Sequence, residues 1–270
     1  MTQPGVSKHL KAVEEYFSAK LVERPNSEFV LTEKGQQVYE YARDLFKEHE
    51  AFKSQLSDDD KLTGVCRFSA PGSFGMKMYS FLLDFNIKNP DLKIHFAYAP
   101  NSSIISDVLN DKVDIGFVTV NPLDSRLIAE EFDEENLSLI VPKGFSGSSF
   151  NDLLGLGFIN HPDGFHHAAR LLQSNFPREF TGMEDFPVNG FINQITRIPE
   201  PVALGLGFTA LPEYACLHFP NKSLIRFLNL KNKIIDPIFA IKRRGKFVSR
   251  RFEVILQEFK KSCDLHKDPL

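Results

Sequence analysis

Tryptophan is absent from the 270 residues, and cysteine is scarce. Cys66, Cys216 and Cys263 stand far apart with no Cys-x-x-Cys spacing. So sparse and odd a set argues against a disulfide framework or a thiolate metal site and fits a reducing compartment, so a cytoplasmic location is expected. No run approaches the roughly 18 apolar residues of a membrane span, and the start carries no apolar signal core, so no membrane role is expected. Positive charge is not in excess either: 32 Lys and Arg face 35 Asp and Glu. Any contact with nucleic acid must therefore be local, made by a few placed cations. Catalytic motifs are missing as well. Gly144–Ser149 is not a Gly-x-Ser-x-Gly elbow, and the Leu-Gly-Leu-Gly runs at 154–157 and 204–207 lack a dinucleotide fingerprint. No enzyme activity and no cofactor are expected.

Phenylalanine is abundant instead, with 26 residues, so the cores are expected to rest on it. Val6, Leu10, Val13 and Phe17 form a helical stripe over 3–18, with Leu21 one step on and with Gln3, Ser7, Lys8 and Lys11 opposite. Thr2 is the expected N-cap, and Pro4 suits a first helical turn. Two short runs, 21–24 and 29–31, flank the turn residues Pro25, Asn26 and Ser27 and predict a small hairpin. Thr32 then caps a helix over about 33–56. Its Val38, Ala42, Leu45, His49, Phe52 and Leu56 form a seven-residue seam suited to a two-helix contact. The charged stretch 57–61 reads as a linker.

Beyond the linker the pattern becomes α/β. "GVCRFSAP", "LKIHFAYAP" and "VDIGFVTV" read as strands alternating with helices, which implies a parallel sheet. "LIAEEFDEENLSLIVPK" reads as two strands, "DPIFAIKRRG" as another, and 246–262 as a closing amphipathic helix.

"TQPGVSKHLKAVEEYFSAKLVER" followed by "FVLTEKGQQVYEYARDLF" resembles the second half of a LysR-type winged helix-turn-helix. Thr2, Val13 and Val22 replace the family's usual Ser, Leu and Phe. The later landmarks "FSAPGSFG", "VDIGFV" and "ALGLGFTALP" resemble that family's effector domain in the right order. The resemblance implies an α/β chain with a partial winged helix-turn-helix and a linker helix, then a two-subdomain effector domain like the type 2 periplasmic binding proteins. The expected divisions are 1–35 for recognition helix and wing and 36–61 for the linker and dimerisation helix. The effector domain is then 62–270, with one subdomain at 62–142 plus 236–270 and the other at 143–235.

The resemblance makes the first helix a recognition helix that enters the major groove of promoter DNA. Gln3, Pro4, Ser7, Lys8 and Lys11 would lie against the duplex, with Gln and Ser suited to base edges and Lys to guanine or phosphate. Arg24 of the wing matches the family's backbone-contacting Arg. The partners implied are double-stranded DNA, a small-molecule effector, and further copies in a homodimer or homotetramer.

In open α/β sheets ligands bind at the carboxyl ends of strands. Ser73 in "SAPGSFG" and Asn101, Ser102 and Ser103 in "PNSS" stand at expected helix starts, where hydroxyls and free backbone N–H groups suit a small anion. By position in the family's motifs, Pro71, Ser73 and Ser102 match effector contacts of the first subdomain, with Ser103 their neighbour, and His161 and Gln194 match the second. Pro71 stands where relatives often carry Thr, which removes a donor. Phe158, Phe165 and Phe191 offer an apolar lining, so a carboxylate or an apolar acid is the expected effector. His161, His166 and His167 do not share one helical face, and no metal is expected.

The family's recognition helix is preceded by further helices, and here Met1 stands where the preceding one ends. Either the start is drawn too late or the protein is a shortened relative; the alternative function is a small-molecule-binding protein that has lost DNA binding. In either case this sequence alone is expected to bind DNA poorly. Footprinting it beside a version extended upstream checks this, and equal affinity would refute it.

Overall fold

A computed structural model describes residues 3–23, 29–56 and 62–265. The chain divides into two compact units, residues 1–60 with 246–250, and 61–245 with 251–270.

The smaller unit begins with α1 (Gln3–Tyr16). Ser18 ends the helix by adopting a φ of 50°, while the Ala19 N–H donates back to the Glu14 carbonyl. β1 (Val22–Glu23) pairs antiparallel with β2 (Val30–Leu31), Val22 opposite Leu31. α2 (Glu33–Leu56) follows. Its start is fixed by Thr32, whose Oγ1 accepts from the Gly35 N–H at 2.9 Å and donates to the Lys20 carbonyl at 2.7 Å. Gly35 is sterically required: a Cβ there would lie 1.9 Å from the Leu21 carbonyl oxygen. The expected hairpin and cap are present, whereas Thr2 and the turn residues Pro25, Asn26 and Ser27 lie outside the described residues.

The larger unit opens with β3 (Gly64–Ala70), α3 (Gly72–Lys88), β4 (Leu92–Tyr98), α4 (Asn101–Leu109) and β5 (Ile115–Val118). Then come β6 (Leu127–Pro142), α5 (Phe150–Leu156), β7 (Phe158–Asn160), α6 (Gly164–Asn175) and β8 (Val188–Phe191). α7 (Pro199–Ala203), β9 (Thr209–Pro212), α8 (Glu213–Leu217), β10 (Ile225–Phe227), β11 (Ile234–Arg243) and α9 (Arg250–Leu265) complete it.

β4, β3 and β5 are parallel neighbours, as the alternating pattern implies. The rest of the main sheet is antiparallel, so the parallel arrangement is confined to these three strands. The order is β10-β6-β11-β5-β3-β4, with β9 also on β6. The two strands expected in 127–143 are one continuous strand, β6, of 16 residues. The acidic stretch Glu130–Glu135 looks like a break in the sequence, but the backbone runs on through it, paired to β11 from Leu127 to Leu137. β6 then continues onto β9 and β10. β6 and β11 thus join two packed regions. One holds Ile104, Val108, Val118 and Ile241; the other holds Leu139, Phe158, Leu172 and Phe208.

Phenylalanine does carry the core. Phe68, Phe74, Phe117 and Phe259 are fully buried in the first region. The Phe259 ring of α9 stacks on Phe132 at 5.4 Å and meets Phe74 and Phe81 edge-on at 5.8 and 5.3 Å. Phe259→Ala is therefore expected to cost about 3–5 kcal/mol in urea unfolding, and Phe259→Leu clearly less. Equal losses in the two variants would overturn this expectation and show that aliphatic bulk recovers nothing of what the ring supplies.

Candidate functional site

On α1 the side chains of Ser7, Lys8 and Lys11 are exposed, as a DNA-facing surface requires. Lys11 lies 3.9 Å from Glu15 in a solvent-exposed pair, a weak tie. The side chains of Gln3 and Pro4, and all of Arg24, lie outside the described residues. Leu10 is half-buried, while Val6 and Val13 are exposed. A residue the sequence reading passed over fixes the helix against the hairpin. Glu14 accepts the Leu21 N–H at 2.8 Å, and that hydrogen bond holds its carboxyl below the ordinary carboxylate range. In the seam of α2, Val38 and Ala42 are half-buried and Leu45 and His49 exposed. The Phe52 and Leu56 side chains lie outside the described residues.

In the larger unit the expected effector residues fall at the carboxyl ends of strands. Pro71 ends the β3 loop as the N-cap of α3, and Pro100 does the same for α4; neither helix has a side-chain cap. Ser73, Ser102 and Ser103 are thus not capping residues. Ser102 and Ser103 are exposed in the first turn of α4. The Ala99 N–H donates to the Ala70 carbonyl at 3.2 Å and holds the two loops side by side. Asn101 spends its amide on Thr119 at 2.8 Å, which ties the start of α4 to the end of β5.

Strands β7 and β8 are parallel, so His161 and the 192–195 segment leave them at the same end. His161 is buried and its Nε2 lies 2.8 Å from the Ala210 carbonyl. Burial lowers its pKa, so the neutral ring donates there. Gln194 is exposed, and its neighbour Ile195 reaches the opposite loop: a Cβ on Gly72 would sit 3.2 Å from the Ile195 side chain. Pro71, Ser73 and Gln194 therefore belong to segments that meet. Among the expected lining phenylalanines, Phe165 and Phe191 are exposed, but Phe158 is wholly buried in the core and cannot line an open surface. The His161 and His167 rings lie 5.8 Å apart, yet among the described residues no group of three His, Cys, Asp or Glu could hold a metal.

The sequence reading missed the polar groups on the crossing strands. Ser73 donates to Glu135 Oε1 at 2.7 Å, and both are buried, at 4% and 8% exposure. Two residues along β6, Asp133 receives the Lys77 ammonium of α3 at 2.5 Å. On β11, Asp236 lies directly opposite Glu135 and receives Arg170 of α6 at 2.5 Å. Burial raises the Glu135 pKa to about 7; Ser73 and Lys77 oppose the rise, and Asp133 and Asp236 reinforce it. Each flanking helix thus sends one cation to a crossing strand.

Two α/β lobes joined by paired crossing strands, with helix starts facing a shared boundary, define the fold of a type 2 periplasmic-binding-protein-like effector domain. The family model "LysR substrate binding domain" matches residues 59–264, and the chain belongs to that family, the LysR-type transcriptional regulators. A probable RuBisCO transcriptional regulator of Phaeodactylum tricornutum is 24% identical, over 97% of this chain and 88% of its own. The transcriptional regulator CzcR of Bacillus subtilis is 23% identical, over 94% and 86%. A full-length OxyR variant from Pseudomonas aeruginosa superposes with a TM-score of 0.67 at 15% identity, covering 96% of this chain and 89% of its own. An OxyR mutant of Corynebacterium glutamicum gives 0.60 at 18% identity, over 97% and 86%. Among the described residues no helix is long and apolar enough to cross a membrane.

The raised Glu135 pKa has a stability consequence. Folded Glu135 holds its proton up to about 7 against an ordinary 4.5, so stability is full below about 4.5 and falls as pH rises to 7. At pH 8 the penalty is on the order of 3 kcal/mol. Glu135→Gln is expected to flatten the Tm–pH curve in that window and to melt above wild type at pH 8. A variant that keeps the wild-type slope would absolve Glu135.

Proposed function

We propose that this regulator senses a small molecule held between the 62–142 plus 236–270 lobe and the 143–235 lobe, and that α1 lays Ser7, Lys8 and Lys11 against promoter DNA. The observation that carries the reading is the approach of Ile195 to Gly72, which brings one lobe onto the helix start that bears Ser73 in the other. An effector that binds the closed arrangement more tightly than the open one shifts the population between them, and its differential affinity sets the size of the response. Pro71, Ser73, Ser102, Ser103 and Gln194 are the proposed contacts. His161 supports the loop from beneath, because its Nε2 is engaged by Ala210.

The α2 face bearing Leu45 favours a second copy as partner, since 53% of that side chain is exposed on a helix of 24 residues. A homodimer through this helix is the proposed unit, with a tetramer as its pairing.

A thermal-shift screen of small metabolites on the full chain tests the cleft. Any compound that raises Tm is expected to lose its effect in Ser73→Ala and in Ser102→Ala. A full-sized shift in both variants removes these residues from the site.

A further inference from the structure

The hydroxyl at the start of α3 is already engaged from within. Ser73 lies in the first turn of this 17-residue helix, and its partner there is a buried carboxylate of the protein itself. A helix start favours negative charge, and Glu135 supplies it once it ionises above about 7. A serine hydroxyl has one proton to give and two lone pairs to offer. We propose that Glu135 sets the hydrogen-bonding polarity of the effector site: Ser73 spends its proton on Glu135 and meets the effector as an acceptor. The effector group docked on the Ser73 oxygen is then a hydrogen-bond donor, namely a hydroxyl, amide or ammonium, and not a carboxylate. This inference rests on the cleft reading above.

The surrounding charges agree. Glu135 is faced by Lys77 from α3, Asp133 from its own strand, Asp236 from β11 and Tyr214 from α8, with Cys263 of α9 beside Lys77. Lys77 and Arg170, which reach the crossing strands beside Glu135, are engaged by Asp133 and Asp236. Pro71 has no N–H to add. Above about pH 7 a carboxylate arriving at Ser73 would meet an ionised carboxylate and an oxygen lone pair, and like charges brought together at a binding site are strongly disfavoured.

Two measurements on the full chain test this. In the first, Glu135 is titrated by carboxyl 13C NMR with labelled glutamate, its resonance identified by its loss in Glu135→Gln. Ser73→Ala is expected to raise the midpoint by about one pH unit, because donation to the ionised form is lost. A midpoint that falls or stays in place overturns the proposal. In the second, thermal shifts at pH 8 compare matched probes: butyramide, butanol and butylamine with butyrate, and benzamide, benzyl alcohol and benzylamine with benzoate. Donors are expected to outrank their acids in wild type, and the acids to gain about tenfold in apparent affinity in Glu135→Gln. Acids that outrank donors in wild type overturn the proposal. Shifts of every probe that survive in Ser73→Ala would instead sink the cleft reading, while the titration still reads the direction of the Ser73 hydrogen bond.

Discussion

Glu135 and Asp236 face each other across the ladder that joins β6 to β11. Like charges directly opposite destabilise a sheet, so the placement has to be offset. Glu135 relieves it by holding its proton up to about 7, while Lys77 of α3 on the neighbouring Asp133 and Arg170 of α6 on Asp236 add positive charge. Removing one partner of a buried charge pair costs more than the pair contributes, since the other is left uncompensated. These contacts are therefore better understood as positional constraints than as sources of stability. They register a helix of each lobe against the strands both lobes share.

The two kinds of packing in the larger unit do different jobs. Phe68, Phe74, Phe117 and Phe259 fill the first lobe with dense, interlocking rings, which resist continuous deformation. The polar belt on the crossing strands is directional and depends on a few distances. Under the proposed closure, a change of lobe angle would bear on Ser73, Glu135 and Asp236, which link α3, β6 and β11. A molecule bound at that boundary can bias the angle only through contacts that differ between the arrangements.

Much of this was legible in the residues, and the failures have physical causes. The stripe on α1, the hairpin, the cap at Thr32 and the βα alternation over 64–118 follow from periodicity and turn chemistry, which are local. β6 was misread because five acidic residues in Glu130–Glu135 mimic a solvent loop; only the partner strand, some hundred residues later, supplies the ladder that carries them. Glu135 was illegible for the same reason, since its burial depends on Ser73, 62 positions away. Ser73 and Ser102 could be picked out as helix-start hydroxyls, but sequence cannot say which oxygen receives the proton. Phe158 was read as a lining residue and His161 was matched by its place in a family motif; sequence did not reveal that both are buried, His161 against the Ala210 carbonyl. The histidine cluster shows the converse: helical spacing separates His161 from His167, and the fold brings their rings to 5.8 Å.

The smaller unit is organised on the opposite principle. Its geometry is set by backbone-directed contacts: Glu14 to Leu21, Thr32 to Lys20 and Gly35, and the steric demand that leaves no Cβ at residue 35. Among its described residues little apolar area is buried; Leu21 is inside, but Val6, Val13 and Leu45 are exposed. Hydrogen bonds of this kind contribute about 1 kcal/mol each, enough to choose an arrangement and too little to hold one alone. Each 100 Å² of apolar surface covered by a partner would add about 2.5 kcal/mol. Under the proposed assembly the exposed face of α2 therefore couples order in α1, the helix proposed to meet DNA, to association of the chains, and dilution would loosen both together.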